Sequence, residues 1–215
     1  MRITTQSIID LNPCERVSVF AENYPNFDGT LEEFFALPLI SYSDKLWVII
    51  TILSFDQVIK WSISCLETVE YLYSSKNTDN RVIDIITYLK TIEDFSALSE
   101  SQLTYIKSFN DTLVSMDYSA ISDYEVALHN SDNISEKAGT AASKYIEFAL
   151  HALVKLITGS DNIVKRAIII HHICAASAFA KREIDPTIDE LVNGDYSESI
   201  HANEQKNINF SLVIE

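Results

Sequence analysis

Between Pro38 and Pro186 the chain contains no proline and only two glycines, Gly139 and Gly159. A sheet-rich fold needs residues that accept positive φ at its many tight turns, and so long a stretch with two glycines cannot supply them. Helices have no such need, and proline inside one would break it. The fold class that follows is all-α. With 47% apolar residues over 215 positions, the chain can also bury a sizeable core. The expected architecture is a compact bundle of about eight helices. A single helical domain spans 1–192, and a polar C-terminal tail with an apolar end spans 193–215.

Helix starts are marked by Ser or Thr followed three residues later by Glu or Gln, the reciprocal pair that satisfies two orphan N–H groups. Thr30–Glu33, Ser54–Gln57, Ser99–Gln102 and Ser122–Glu125 fit this spacing. Together with apolar periodicity they predict helices near 31–36, 44–53, 55–74, 80–93, 100–115, 122–129, 136–158 and 161–182, with a short one near 186–192. Gly159-Ser160 leaves so short a joint that the long helices 136–158 and 161–182 should pack antiparallel. Their predicted facing stripes are Tyr145, Phe148, Ala149, Ala152, Leu153, Leu156 and Ile157 on the first. On the second they are Val164, Ala167, Ile168, His171, Ala175, Ala178 and Phe179.

The net charge of −15 is unevenly distributed. Residues 84–136 hold ten acids and two bases, whereas residues 137–182 hold two acids and seven bases. An acidic chain lacks the basic footprint that phosphate backbones require, so nucleic acid is not an expected partner. Acidity suits a basic protein partner instead. The longest apolar run, Leu46–Leu53, is far shorter than the roughly 20 residues that cross a bilayer, so no membrane association is expected. Cys14, Cys65 and Cys174 are odd in number and widely spaced, and the chain opens on no apolar leader-like run. Reduced thiols and a cytoplasmic location are the corresponding expectations.

Residues fit for chemistry are few. Adjacent His171 and His172 point about 100° apart on a helix and cannot chelate one metal together. Glu147 and His151 have the i, i+4 spacing of helical metal ligands, and with His171 or His172 from the antiparallel neighbour they define a weak candidate site. Cys174 and His171 share a helix face without an evident activating environment. No Gly-rich phosphate loop and no Gly-x-Ser-x-Gly turn is present. The expectation is therefore a protein that is not an enzyme and holds no cofactor. Asp111, Asp117, Tyr118, Asp123, Tyr124, Glu125 and Asp132 form an acidic stretch with interleaved tyrosines, a composition that suits a surface for a basic partner. Asp79 is placed to cap a helix opening at Asn80, and Arg81 stands in a first turn where a cation is unfavourable, which calls for a specific acidic partner such as Glu67 or Glu70.

Ala36-Leu37-Pro38 leads into Asp44-Lys45-Leu46-Trp47-Val48; Trp61 to Glu67 carries a small-residue and Cys65 core, and Asp79-Asn80-Arg81 opens another helix. This succession resembles immunity proteins of bacterial polymorphic toxin systems, over about residues 36–93 and 138–183. The closing helix, Ala175–Arg182, has Phe179 where such proteins carry an aromatic residue. The chain departs from that pattern at Arg81-Val82-Ile83, where Arg-Pro-Arg is usual, and at Tyr88-Leu89-Lys90, which lacks a basic, Trp-containing ending. The resemblance implies a helical cytoplasmic protein that binds and neutralises a cognate toxin by occlusion. In that frame Asp44, Lys45, Trp47, Trp61, Cys65, Asp79 and Arg81 are the structural motif residues, and the acidic middle is the contact surface. The alternatives from the residues alone are a helical metalloenzyme using Glu147, His151 and His171, or a homo-oligomeric scaffold, with a homodimer as its simplest form.

Overall fold

The described residues form nine α-helices, one turn of 3-10 helix at Phe95–Ala97 and one two-stranded ribbon, and 78% of them are helical. The computed structural model describes residues 2–11, 15–40, 42–76, 80–130 and 134–184. The expected short helix at 186–192 and the tail at 193–215 lie outside them.

The N-terminal region holds elements that periodicity did not reveal. Strand β1 (Arg2–Thr4) pairs antiparallel with β2 (Asp28–Thr30), Ile3 standing opposite Gly29. Between them lie α1 (Thr5–Ile9) and α2 (Glu15–Asn23), and α3 (Leu31–Phe35) follows. Three-residue strands are too short to show an alternating pattern, which explains why they escape a sequence reading. Each strand runs directly into a capping box: Thr4 with Ser7 opens α1, and Thr30 with Glu33 opens α3 as expected. A cluster of Phe20, Phe27, Phe34 and Phe35 fills the space beneath the ribbon, with ring centroids about 6 Å apart.

The bundle proper comprises α4 (Tyr42–Ile52), α5 (Phe55–Lys76), α6 (Arg81–Lys90), α7 (Glu100–Asn130), α8 (Ile134–Thr158) and α9 (Ile163–Ile184). The Ser54–Gln57 and Ser99–Gln102 boxes form at the starts of α5 and α7. Ser122–Glu125 does not start a helix. It lies inside α7, because no glycine or proline breaks the turns before it. The helices expected at 100–115 and 122–129 are therefore one. At α6 the N-cap is Asn80, whose side chain makes no capping bond; Asp79 lies outside the described residues.

Helix α8 is the central element and packs against α9, α7 and α5. Its Ala142, Ile146, Ala149, Leu150, Leu153, Val154 and Leu156 are fully buried. On α9 the expected stripe is only partly inward: Ala175 is buried as expected, Val164, Ala167, Ile168 and His171 are exposed, and the side chains of Ala178 and Phe179 lie outside the described set. Ile169, Ile170, Ile173 and Ala176 are buried, whereas Val164 is 64% exposed and Ile168 is 43% exposed. The helix is apolar on two sides, so periodicity could not choose between them. The side that turns inward also carries Arg166, a residue that ordinarily points outward.

Cations from distant elements close three helix ends. Lys45, in the first turn of α4, is buried and donates to Phe35 O at 2.7 Å and Leu37 O at 2.6 Å, the open carbonyls after α3. Arg166 of α9 donates through Nη1 to Ile50 O and Leu53 O, both at 2.7 Å, and closes α4 in the same way. Its Nε and Nη2 grip Asp161. Lys60 of α5 reaches Glu93 O at 2.5 Å beyond α6 and pairs with Asp56, which also accepts from Phe95 N. The lysine of the Asp44-Lys45 motif is thus a structural clamp whose burial lowers its pKa.

Candidate functional site

Two surfaces combine exposure with specific chemistry. The first lies on α6 and the start of α7. Tyr88 from α6 meets Tyr105 and Phe109, one turn apart on α7, in edge-on contacts with centroids 4.6 and 5.7 Å away; Tyr105 and Phe109 are 4.8 Å apart. Buried Ile106, Leu113 and Met116 fix which side of α7 faces inward and so hold Tyr105 outward. Tyr105 remains 51% exposed, which is unusual for a ring packed against two others. Asp84, Glu93, Asp94, Glu100 and Asp111 are all exposed on the same segment, against Lys90 and Lys107. Lys90 is already neutralised by an ion pair with Glu67, which raises its pKa. The surface is therefore aromatic at its centre and acidic around it.

This places one of the expected binding residues, Asp111, in the open on α7. Asp117, Tyr118, Asp123, Tyr124 and Glu125 belong to the same helix, but their side chains are outside the described set, and Asp132 lies outside the described residues. The aromatic cluster itself was missed by the sequence reading. Its signal was the i, i+4 pair Tyr105 and Phe109, which looks like ordinary core spacing until Ile106 is known to take the buried side.

The second surface is a groove between α8 and α9, of about 280 Å³. Phe148, His151, Ala152 and Lys155 line it from α8, and Lys165, Ile168 and His172 from α9. These residues recur at three- and four-residue intervals, one stripe per helix. The antiparallel hairpin stacks them in layers: Lys155 with Lys165 near the joint, Ala152 with Ile168 in the middle, Phe148 with His172 deepest along the pair. The last layer is in direct contact, its ring centroids 5.5 Å apart. Small Ala152 opposite Ile168 leaves the hollow.

The histidines sort by environment. His171 is exposed, His172 is half-buried and His151 is buried. His172 packs against Tyr145 and Phe148, and burial, reinforced by neighbouring His171, holds its pKa down to about 4. It is a neutral ring at physiological pH. His151 Nε2 lies 3.2 Å from Asn110 Oδ1 and donates to that amide oxygen. Among the described residues no three His, Cys, Asp or Glu side chains converge as metal ligands, so Glu147, His151 and His171 are not assembled into the weak candidate site. The reason is geometric: His171 is exposed, and the His151 Nε2 is engaged by Asn110 of α7.

The motif residues take structural places. Trp61 is buried, Trp47 is half-buried against the core, and Cys65 is a buried thiol outside any disulfide. Arg81 is exposed at the start of α6, and Glu67, one partner expected for it, is held by Lys90. Among the described residues no helix is long and apolar enough to cross a membrane. No family model, no curated protein and no solved structure matches the chain, so the aromatic face and the groove are read from their own chemistry.

Proposed function

We propose that this chain is an immunity-type inhibitor that binds a basic bacterial toxin and neutralises it by occlusion, presenting the acidic aromatic face of α6 and α7. The observation that carries the reading is the cluster of exposed Tyr105 with half-buried Tyr88 and Phe109, set in a segment with ten acids and two bases. Rigid aromatic side chains supply much contact area at little entropic cost, and they dominate binding energy at the centres of interfaces. Carboxylates around them speed encounter with a basic partner and disfavour acidic ones. Lys60 supports the same reading, because its bond to Glu93 O and its pair with Asp56 tie the chain between α6 and α7 to α5.

Co-expression with the product of a neighbouring toxin gene tests this. Protection and co-purification are expected, and Tyr105→Ala with Phe109→Ala should weaken the complex by about 2 kcal/mol or more, roughly thirtyfold. Full protection by that double variant moves the contact elsewhere, and no protection by the unaltered chain discards the function. A second reading, self-association, draws on the exposed Ile163, Val164 and Ile168 of α9. A monomer in light scattering at high concentration discards it.

A further inference from the structure

The α8–α9 groove is distinct from the face assigned to a toxin, and its chemistry has the opposite sign. Its walls are apolar in the middle and cationic at one end. Lys155 is exposed in the last turn of α8, and Lys165 stands in the first turn of α9. Neither ammonium has a carboxylate partner among the described residues; Lys165 Nζ donates one bond to Ser160 O at 2.9 Å and keeps two N–H groups. The nearest acid along the chain, Asp161, is taken by Arg166. In a chain of net charge −15, the groove thus gathers two lysines without a carboxylate at one end. The first turn of α9 makes this sharper. A helix N-terminus disfavours cations and favours anions, so Lys165 adds to a positive field that Asn162, capping Lys165 N at 2.9 Å, does not neutralise.

Beyond the lysines the groove offers a place for a flat apolar body. Ala152 leaves room above Ile168, and the Phe148 and His172 rings close the far end. Lys144 Nζ lies 5.2 Å from the Phe148 centroid on that side, so the ring is polarised by a cation as well. The volume is at the small end for organic ligands, which commonly occupy about 300–1,000 Å³. We infer that the groove binds a small organic acid, with its carboxylate or phosphate between Lys155 and Lys165 and its apolar or aromatic body over Ala152, Ile168 and Phe148.

Phenyl phosphate and benzoate are the probes, titrated separately into the full chain while the methyl resonances of Ala152 and Ile168 are followed by NMR. At least one should give saturable, single-site shifts at both methyls, and the ratio of the two affinities tells a phosphate site from a carboxylate site. Lys155→Ala and Lys165→Ala should each weaken the better probe about tenfold, as expected for a lost charge-assisted bond. Ala152→Leu, which fills the hollow, should abolish binding. Inorganic phosphate should bind at least about tenfold more weakly than phenyl phosphate, because it lacks the body that the middle layer holds. Lys155 is exposed and Lys165 gives up only one bond to an exposed carbonyl, so both variants should unfold close to the temperature of the parent, and a circular dichroism melt verifies this. Shifts that do not saturate for either probe overturn the inference. So do affinities unchanged in both lysine variants, or inorganic phosphate binding as tightly as phenyl phosphate.

Discussion

Replacing Arg166 with alanine should be among the most damaging single changes outside the apolar core. Its Nη1 serves two carbonyls, Ile50 O and Leu53 O, belonging to residues that are themselves buried. Each is a charge-assisted bond, and the loss of one to a buried acceptor costs about 1.5–3 kcal/mol. The pair with Asp161 is partly open, its carboxylate side chain 32% exposed, and adds less than about 1 kcal/mol. Water entering the vacated space will satisfy part of the loss, which leaves about 4 kcal/mol for Arg166→Ala. Arg166→Lys keeps the charge and can reach one carbonyl, so about half of that is expected. Asp161→Asn should cost less than about 1 kcal/mol. Urea unfolding followed by helical circular dichroism reads all three. With a urea slope of about 2 kcal/mol/M, the alanine variant should lose about 2 M from its midpoint. An Arg166→Ala penalty under about 1 kcal/mol, or one matched by Asp161→Asn, would refute the claim that the carbonyls of α4 are what Arg166 holds.

Two further perturbations follow from the same structure. Lys45→Met keeps the apolar stem but orphans Phe35 O and Leu37 O; a loss of about 2–3 kcal/mol is expected, seen as a melting temperature lower by about 5–10 °C. His172 is neutral when folded down to about pH 4 but takes up its proton near 6.5 when unfolded, so the unfolded chain binds more protons between those values and stability falls as pH drops through that window. The full gap corresponds to about 3 kcal/mol, and solvent screening of a half-exposed ring reduces it to ~1 kcal/mol. Urea midpoints at pH 7 and pH 4.5 should therefore converge in His172→Phe relative to the parent; equal pH sensitivity in both would exclude His172 as the source.

Much of the bundle could be read before any coordinates. Capping boxes are local, reciprocal and chemically specific, which is why Thr30, Ser54 and Ser99 each mark a real helix start. The short Gly159-Ser160 joint likewise fixed α8 and α9 as neighbours. What escaped was decided at long range. Ser122 has the same local signature as Ser99, but only the continuity of α7 on both sides separates a start from an interior turn. The inward side of α9 depended on α4 offering two carbonyls to Arg166, a demand that no window around residue 166 contains. The aromatic cluster depended on Ile106 taking the buried side, which left Tyr105 and Phe109 to meet Tyr88. The groove needed a register between two helices, and its emptiness is set by one small residue, Ala152.

The Arg166 clamp also imposes an order on the birth of the fold. The carbonyls it satisfies lie 116 and 113 residues earlier in the chain. At about 5–20 residues per second, a ribosome takes on the order of ten seconds to deliver that arginine after α4 has been made. Through that interval the last turn of α4 has no permanent partner for its end, and the apolar side formed by Leu46, Ile49 and Ile50 has yet to meet α9. The half of the molecule synthesised first is thus finished by the half synthesised last, and the nascent chain passes a long stage in which its N-terminal helices are made but not yet locked.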